Sequence, residues 1–271
     1  MPPLDVPALV LRNERLSADY NVLSLEAPAI AAVSLPGQFV MIRTAAGTDP
    51  LLRRPFSVFE ILRDGTGAPT GLSVLCKRIG PGTARLYDAV EGDRLPVLGP
   101  LGKPFTLVSP PAEAWMVAGG VGLAPFATLA EALAAAGVSS RLFYGGRTRA
   151  DLFYLDWFAS RGVVLELATE DGSLGAHGRV TAPLEEALRA RAEGVPVTLY
   201  ACGPEPMLKA VAGLAREYGC PSQVSTERIM GCGLGGCYSC VVRVRDDAGA
   251  PRFVRSCLSG PVFSGDDLVW E

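Results

Sequence analysis

Hydrophobic and polar positions alternate in short runs through the first hundred residues. Runs at 9–12, 20–26, 38–43, 56–62 and 71–78 carry the period of two expected of half-buried strands. Pro36-Gly37, Asp64-Gly65 and Glu91-Gly92-Asp93 separate them as turns. One helix fits 84–90, opened by Gly82-Thr83, and the glycines and prolines of 99–105 read as a linker. Many short strands with regular turn signals predict a small antiparallel barrel.

After about residue 113 the period lengthens. Strands are expected at 114–118, 141–144, 163–168 and 197–201. Helices are expected at 123–136, 151–160, 184–192 and 206–218, the first ended by Gly137. Strand, loop and helix in rotation predict a doubly wound α/β sheet. A last hairpin is expected from 241–244 and 253–254 around a polar turn at 246–249. The expected domains are therefore 1–105, 106–222 and 223–271.

The tail carries the strongest chemistry. Cys232, Cys237 and Cys240 are spaced C-x4-C-x2-C, and Cys257 follows beyond the hairpin. That is the plant-type spacing for a [2Fe–2S] cluster, whose irons need four converging thiolates. Gly231, Gly233, Gly235 and Gly236 let so short a loop turn around a metal centre. The rival is a structural zinc site, which usually presents two separated cysteine pairs rather than three cysteines in one loop. A disulfide framework fits poorly with seven cysteines and no secretory signal.

Composition narrows the classes. The 271 residues are 49% hydrophobic and 20% charged, enough to bury a large core over two or three domains. A net charge of −3 with scattered cations leaves no basic footprint for nucleic acid. No apolar stretch is long enough to span a bilayer, so a cytoplasmic protein is expected. The single histidine, His177, has no evident partner, which leaves little support for histidine acid–base catalysis.

The remaining motifs are individually ambiguous. Arg54, Phe56 and Ser57 in LLRRPFSV suit a phosphate and an aromatic ring, or simply an edge strand with a proline. Gly80, Gly82 and Thr83 open a helix, which suits an anion or only a cap. Together the two stretches describe a pocket for a flavin and its pyrophosphate. Ala118–Pro125 is not G-x-G-x-x-G, yet Gly119, Gly120 and Gly122 sit where a strand turns into a helix. Cys202-Gly203 ends the 197–201 strand, marking either a second ligand loop or a buried thiol. Arg147 lies just past a strand end, within reach of a ribose or phosphate or simply solvated, and Cys76 and Cys220 read as buried thiols.

In order, RRPFS, GPGT, GPLG, AGGVGLAPF, YGGRTR, ACGPEPM and the cysteine loop resemble the electron-transfer subunits of class 1B dihydroorotate dehydrogenase, within the ferredoxin–NAD(P) reductase superfamily. The resemblance covers nearly the whole chain, and STERIMGCGLGGCYSC with CLSGPVF is its most specific part. It implies an FAD-binding β-barrel, an NAD-binding α/β domain and a small C-terminal [2Fe–2S] domain. Arg54, Pro55, Phe56 and Ser57 would hold the isoalloxazine and phosphates, with Leu75, Cys76 and Lys77 lining the flavin through their backbone. Gly82 and Thr83 would bind the pyrophosphate. Gly119, Gly120, Gly122, Cys202 and Gly203 would receive the nicotinamide dinucleotide, and Cys232, Cys237, Cys240 and Cys257 would ligate the cluster. Ser259 departs from the acidic residue often found before the final Gly-Pro.

The implied partner is an FMN-containing catalytic subunit that oxidises dihydroorotate, in a heterotetramer of two of each chain. Electrons would pass from it through the cluster and FAD to NAD+. The tail is roughly half the length of a free-standing plant-type ferredoxin domain, so part of it is expected to pack on another subunit. Reductase subunits of a hydrogenase, a sulfide dehydrogenase or a transhydrogenase-like complex share the layout. A zinc-stabilised interaction module is the rival of a different class.

Overall fold

The computed structural model describes residues 2–45, 47, 49–192 and 194–270. The first sheet contains β1 (Leu4–Arg15), β2 (Tyr20–Glu26), β3 (Phe39–Ile42), β4 (Arg54–Ser57), β5 (Glu60–Arg63), β6 (Pro69–Lys77) and β7 (Arg94–Leu101). Its order is β4-β3-β7-β1-β2-β6-β5, with every pair antiparallel. The sheet curls into an open barrel whose edge strand β4 approaches β6 across the opening. Its core is aliphatic, built on Val10, Leu23, Ile42, Val74 and Val97.

Two sequence expectations change here. The run at 56–62 is two strands, because the chain turns inward at the fully buried Val58 and Phe59. The linker at 99–105 begins as strand: Gly99 pairs with Leu4, and Val40 fills the space where a Gly99 side chain would stand. Helix α1 (Pro28–Ala31) bridges the barrel, and α2 (Pro81–Asp88) starts three residues earlier than expected.

The second sheet holds β8 (Glu113–Gly119), β9 (Ser140–Gly146), β10 (Val164–Thr169), β11 (Ala176–His177), β12 (Val197–Cys202) and β13 (Ser222–Ser225), all parallel. Its helices are α3 (Ala124–Ala135), α4 (Leu155–Ala159), α5 (Thr181–Ala190) and α6 (Glu205–Glu217). The expected helix at 151–160 shrinks to α4 with a 3-10 turn before it at Arg149–Asp151. Strand alternation sends Met116, Ala118 and Tyr144 toward α3 and α4, and Trp115, Val117 and Phe143 toward α5 and α6. The sheet is thus buried on both faces, as a doubly wound fold requires. Barrel residues Val22, Phe59, Leu75 and Phe105 join the α3 side, so one core runs from barrel to sheet.

The tail adds the hairpin β14 (Val241–Arg245) and β15 (Pro251–Arg255), then α7 (Ser256–Ser259) and β16 (Val262–Ser264). The expected hairpin is present, with the Asp246 carboxylate accepting from the backbone of Ala248 and Ala250 to close its turn. Strand β16 returns to the second sheet, antiparallel to β13. The expected division at 222/223 falls inside β13, so the tail grows directly out of the sheet. A further clasp ties it to the barrel: the Lys103 N–H donates to the Gly260 carbonyl at 2.6 Å, and Gly102 packs on Pro261.

Candidate functional site

Three neighbouring places collect the motif residues. The first lies at the barrel opening. The Arg54 side chain crosses the first turn of α2, where a Cβ on Gly82 would sit 3.2 Å from Arg54 Nε and 3.4 Å from Thr44 Oγ1. Arg54 Nη1 donates to the Leu52 carbonyl at 2.6 Å, which fixes the fork over the helix N-terminus. The Thr83 hydroxyl accepts from the Ile79 and Gly80 N–H groups, so only its backbone remains for a ligand. Leu75 and Lys77 face away from the barrel core, while Cys76 is fully buried in it and burial pushes its thiol pKa up. Cys76 therefore has only its backbone to present outside the barrel core.

Thr44 carries no motif and was missed by sequence. Its hydroxyl is buried with no hydrogen-bond partner among the described residues, beside Arg54 and Gly82. An orphaned hydroxyl next to a fixed guanidinium and a helix N-terminus fits a phosphate-bearing cofactor with a flavin's reach.

The second place is a cleft of about 420 Å³ at the carboxyl ends of β8, β9, β10 and β12. Gly119 and Gly120 form its floor, Tyr20 and Lys77 of the barrel close one side, and Pro204 and Met207 another. Gly122 faces away from the cleft walls and is packed against the end of β12, where its Cβ would meet the Cys202 carbonyl oxygen at van der Waals-forbidden range. The Cys202 thiol is buried, and desolvation first, then Glu227, raise its pKa. Glu227 itself lines the cleft, its carboxyl raised by desolvation. Of the two readings of Arg147, the side chain is exposed yet lines the cleft, whereas His177 stands exposed on the edge strand β11.

The third place is the cysteine loop. Cys240 and Cys257 are buried with Met41, Leu101 and Met230, while Cys232 and Cys237 lie nearer the surface. The thiols meet in pairs. Hydrogen bonds from the Ser239 side chain and backbone, then from Cys232, pull the Cys237 thiol down to about 6. Burial, then hydrogen bonding and repulsion from Cys240, push Cys257 up to about 12. Among the described residues no three Cys, His, Asp or Glu side chains gather around one point. Two pairs suit two irons, one pair each, better than a single tetrahedral ion.

The loop is seated on the barrel. A Cβ on Gly233 would stand 2.6 Å from Met41 Cγ and 3.2 Å from Leu101 Cδ1. Met41 pairs with Pro55, so the loop rests one strand away from the Arg54–Ser57 run. Arg255 Nη1 donates to the Gly235 carbonyl at 2.7 Å, and the Ser256 N–H to the Cys240 carbonyl at 2.8 Å, which brings Cys257 back to the loop.

The open barrel, doubly wound sheet and cysteine tail define an oxidoreductase of the ferredoxin–NADP reductase fold with FAD, NAD and iron–sulfur sites. The solved structure of an NADH-dependent reduced ferredoxin-NADP oxidoreductase, a protein of flavin-based electron bifurcation, aligns at TM-score 0.83 and 30% identity, over 98% of this chain and 90% of that one. A Neisseria gonorrhoeae ferredoxin NADP+ reductase with bound FAD and NADP shares the fold at TM-score 0.64 and 18% identity, over 81% of this chain and 92% of that one. Family models match at 116–213, described as an oxidoreductase NAD-binding domain, and at 227–269, described as the iron-sulfur cluster binding domain of dihydroorotate dehydrogenase B.

The chain belongs to the family of dihydroorotate dehydrogenase B electron transfer subunits. The subunit of that name from Desulforamulus reducens is 36% identical, over 97% of this chain and 98% of its own length. The one from Geobacillus thermodenitrificans is 41% identical, over 95% and 96%.

Proposed function

We propose that this chain carries reducing equivalents from a partner's oxidation of dihydroorotate to NAD+, as the NAD-linked iron–sulfur flavoprotein subunit of a pyrimidine-biosynthetic enzyme. The observation that carries this reading is the cysteine loop seated on β3, one strand from the Arg54–Ser57 run. Adjacent strands lie about 4.8 Å apart, so a cluster and a flavin at these places are near neighbours. A flavin bound there supplies the exchange between hydride and single-electron chemistry.

The chain's own residues do the holding. Arg54, Thr44 and the α2 turn at Gly82 and Thr83 clamp the flavin diphosphate. Pro55, Phe56, Ser57 and the backbone of Leu75, Cys76 and Lys77 frame the ring. Gly119 and Gly120 admit the nucleotide pyrophosphate, with Gly122, Cys202 and Gly203 as the wall behind them. Cys232, Cys237, Cys240 and Cys257 hold the cluster, and Met41, Leu101 and Met230 keep water from its inner side.

Leu51, Leu52, Ile229, Leu234 and Tyr238, all more than half exposed, rim the loop on its outer side. So much apolar surface beside a redox centre suits a docked subunit. The partner proposed is an FMN-containing catalytic subunit, two of each chain forming a heterotetramer. Among the described residues no helix is long and apolar enough to cross a membrane, and the proposed location is the cytoplasm.

Anaerobic addition of NADH should bleach the flavin absorbance and then generate the EPR signal of a reduced [2Fe–2S] centre. A colourless protein, or one whose cluster NADH never reduces, would overturn the reading. Thr44→Val should weaken FAD retention by about 10-fold, since one charge-assisted hydrogen bond contributes about 1.5–3 kcal/mol; dialysis against graded FAD measures it. A second reading rests on the likeness to the bifurcating oxidoreductase: a subunit of a transhydrogenase-like complex. Dihydroorotate-dependent reduction of NAD+ by the native complex separates the two.

A further inference from the structure

Helix α2 ends without a glycine. The last carbonyls of a helix have no partner inside it, and a left-handed glycine turn commonly supplies one. Here Ala89 follows with ψ at 141°, so the chain leaves the helix directly in an extended conformation. No backbone N–H beyond the helix returns to the Leu86 or Tyr87 carbonyl among the described residues. The Asn13 side chain, from β1, takes that place. Its Nδ2 donates to the carbonyls of Leu86 and Tyr87 at 3.0 Å each and to that of Ala89 at 2.8 Å. One amide group thus closes the whole helix end.

A second amide orients the first. Asn21 on β2 is fully buried, and its Nδ2 donates to Asn13 Oδ1 at 2.7 Å. The turn between the same two strands grips the neighbouring ring: the Tyr87 hydroxyl donates to the Ser17 carbonyl at 2.8 Å. The guanidinium groups of Arg15 and Arg78 lie 4.8 and 4.9 Å from the centre of that ring.

The opposite end of α2 is where this matters. There Gly82 faces Arg54 and Thr44, the groups proposed above to clamp the flavin diphosphate. The helix is only eight residues long, about 12 Å, and it moves as one body. Leu86 anchors it in the barrel core. A single apolar anchor leaves so short a rod free to rock, and rocking swings the N–H groups of the first turn off a bound anion. Those groups favour an anion only while they point at it. The amide clamp removes the rocking.

We propose that Asn13, oriented by Asn21, is a positioning residue for the flavin: by fastening the C-terminal end of α2 it keeps the first turn of the helix aimed at the diphosphate. The inference rests on the turn at 80–83 being the diphosphate seat.

The test uses the full chain in its oxidised complex, stripped of FAD and titrated with it. Titration gives the dissociation constant, and phosphorus NMR at saturating FAD reports where the diphosphate sits. Asn13→Ala should raise the constant by about 10-fold and shift the phosphorus resonances. Asn13→Asp keeps the shape but has no N–H to give, so its loss should be at least as large. Full binding by Asn13→Asp would mean that shape alone matters, and the proposal would be wrong. Asn13→Ser keeps one donor and should raise the constant by about 3-fold; it serves where Asn13→Ala does not fold. Melting temperature is followed separately. A lower melting temperature with constant and resonances unchanged makes Asn13 a structural residue only, and the assignment fails. Arg54→Ala tests the seat itself. If it shifts the resonances while no Asn13 variant does, the seat stands and Asn13 does not serve it. If neither shifts them, the seat is misread and the assignment falls with it.

Discussion

Cys257→Ser is expected to cut dihydroorotate-driven reduction of NAD+ by at least about 100-fold, while NADH oxidation by a dye that draws on flavin alone continues. The contrast follows from position. Cys257 is 1% exposed, placed by α7 into the apolar pocket that also holds Cys240 and Met41. Serine there offers a short, hard oxygen where iron favours thiolate, and leaves a hydroxyl among apolar neighbours. The flavin pocket at Arg54 and Gly82 lies on the other side of β3 and keeps its residues. Iron and acid-labile sulfide content, visible spectrum and the two activities measure the split. Cys220→Ser is the control, since Cys220 sits at the end of α6, hydrogen-bonded by Arg191 and outside the loop. A Cys257→Ser chain with full iron and full coupled rate would remove the cluster from the account.

Gly122→Ala should have the second largest effect. Its Cβ would lie 2.5 Å from the Cys202 carbonyl carbon and 2.7 Å from the Gly203 Cα. All of these neighbours are backbone, so no side chain can swing aside. The turn after β8 and the end of β12 must separate, at about 1–3 kcal/mol of overpacking. Both loops shape the cleft, so KM for NADH should rise by about 10-fold or more, with melting temperature lowered. Flavin and cluster content should stay, because the barrel and the tail pocket are untouched. Unaltered NADH kinetics would mean that the two loops do not position the nucleotide.

Local chemistry was the most readable part of this chain. Three cysteines and four glycines within one loop carry their meaning wherever the rest folds, and the 3.6-residue pattern of the second hundred residues announces its sheet. Proline hid the strands that sequence missed. Pro7 of β1 is paired with Pro96 of the neighbouring β7, so two strand segments looked like irregular chain, and Gly99 followed by Pro100 looked like a linker. Strand β16 was concealed differently: CLSGPVF stood out as part of the cysteine motif, although Val262 and Phe263 belong to the sheet edge.

The unread site residues share a cause. Thr44 is an ordinary hydroxyl until the α2 turn is folded over it. Glu170 is a polar turn residue just past β10 until its N–H bond to the Gly146 carbonyl sets it on the cleft wall. Cys202 was legible as a motif, but only packing reveals that its thiol is turned inward. Contacts distant in sequence decide all three, and no local pattern records them.

The junction where Lys103 meets Gly260 and Gly102 meets Pro261 limits how this protein can be taken apart. Trimming the chain ahead of Glu227 would not yield a minimal reductase. It would strip β16 from β13, bare a hydrogen-bonding edge, wet Val224 and unfasten the exit of the barrel. Chimeras that exchange tails between relatives should therefore transplant both sides of that knot, the 99–105 segment together with everything beyond it that it grips.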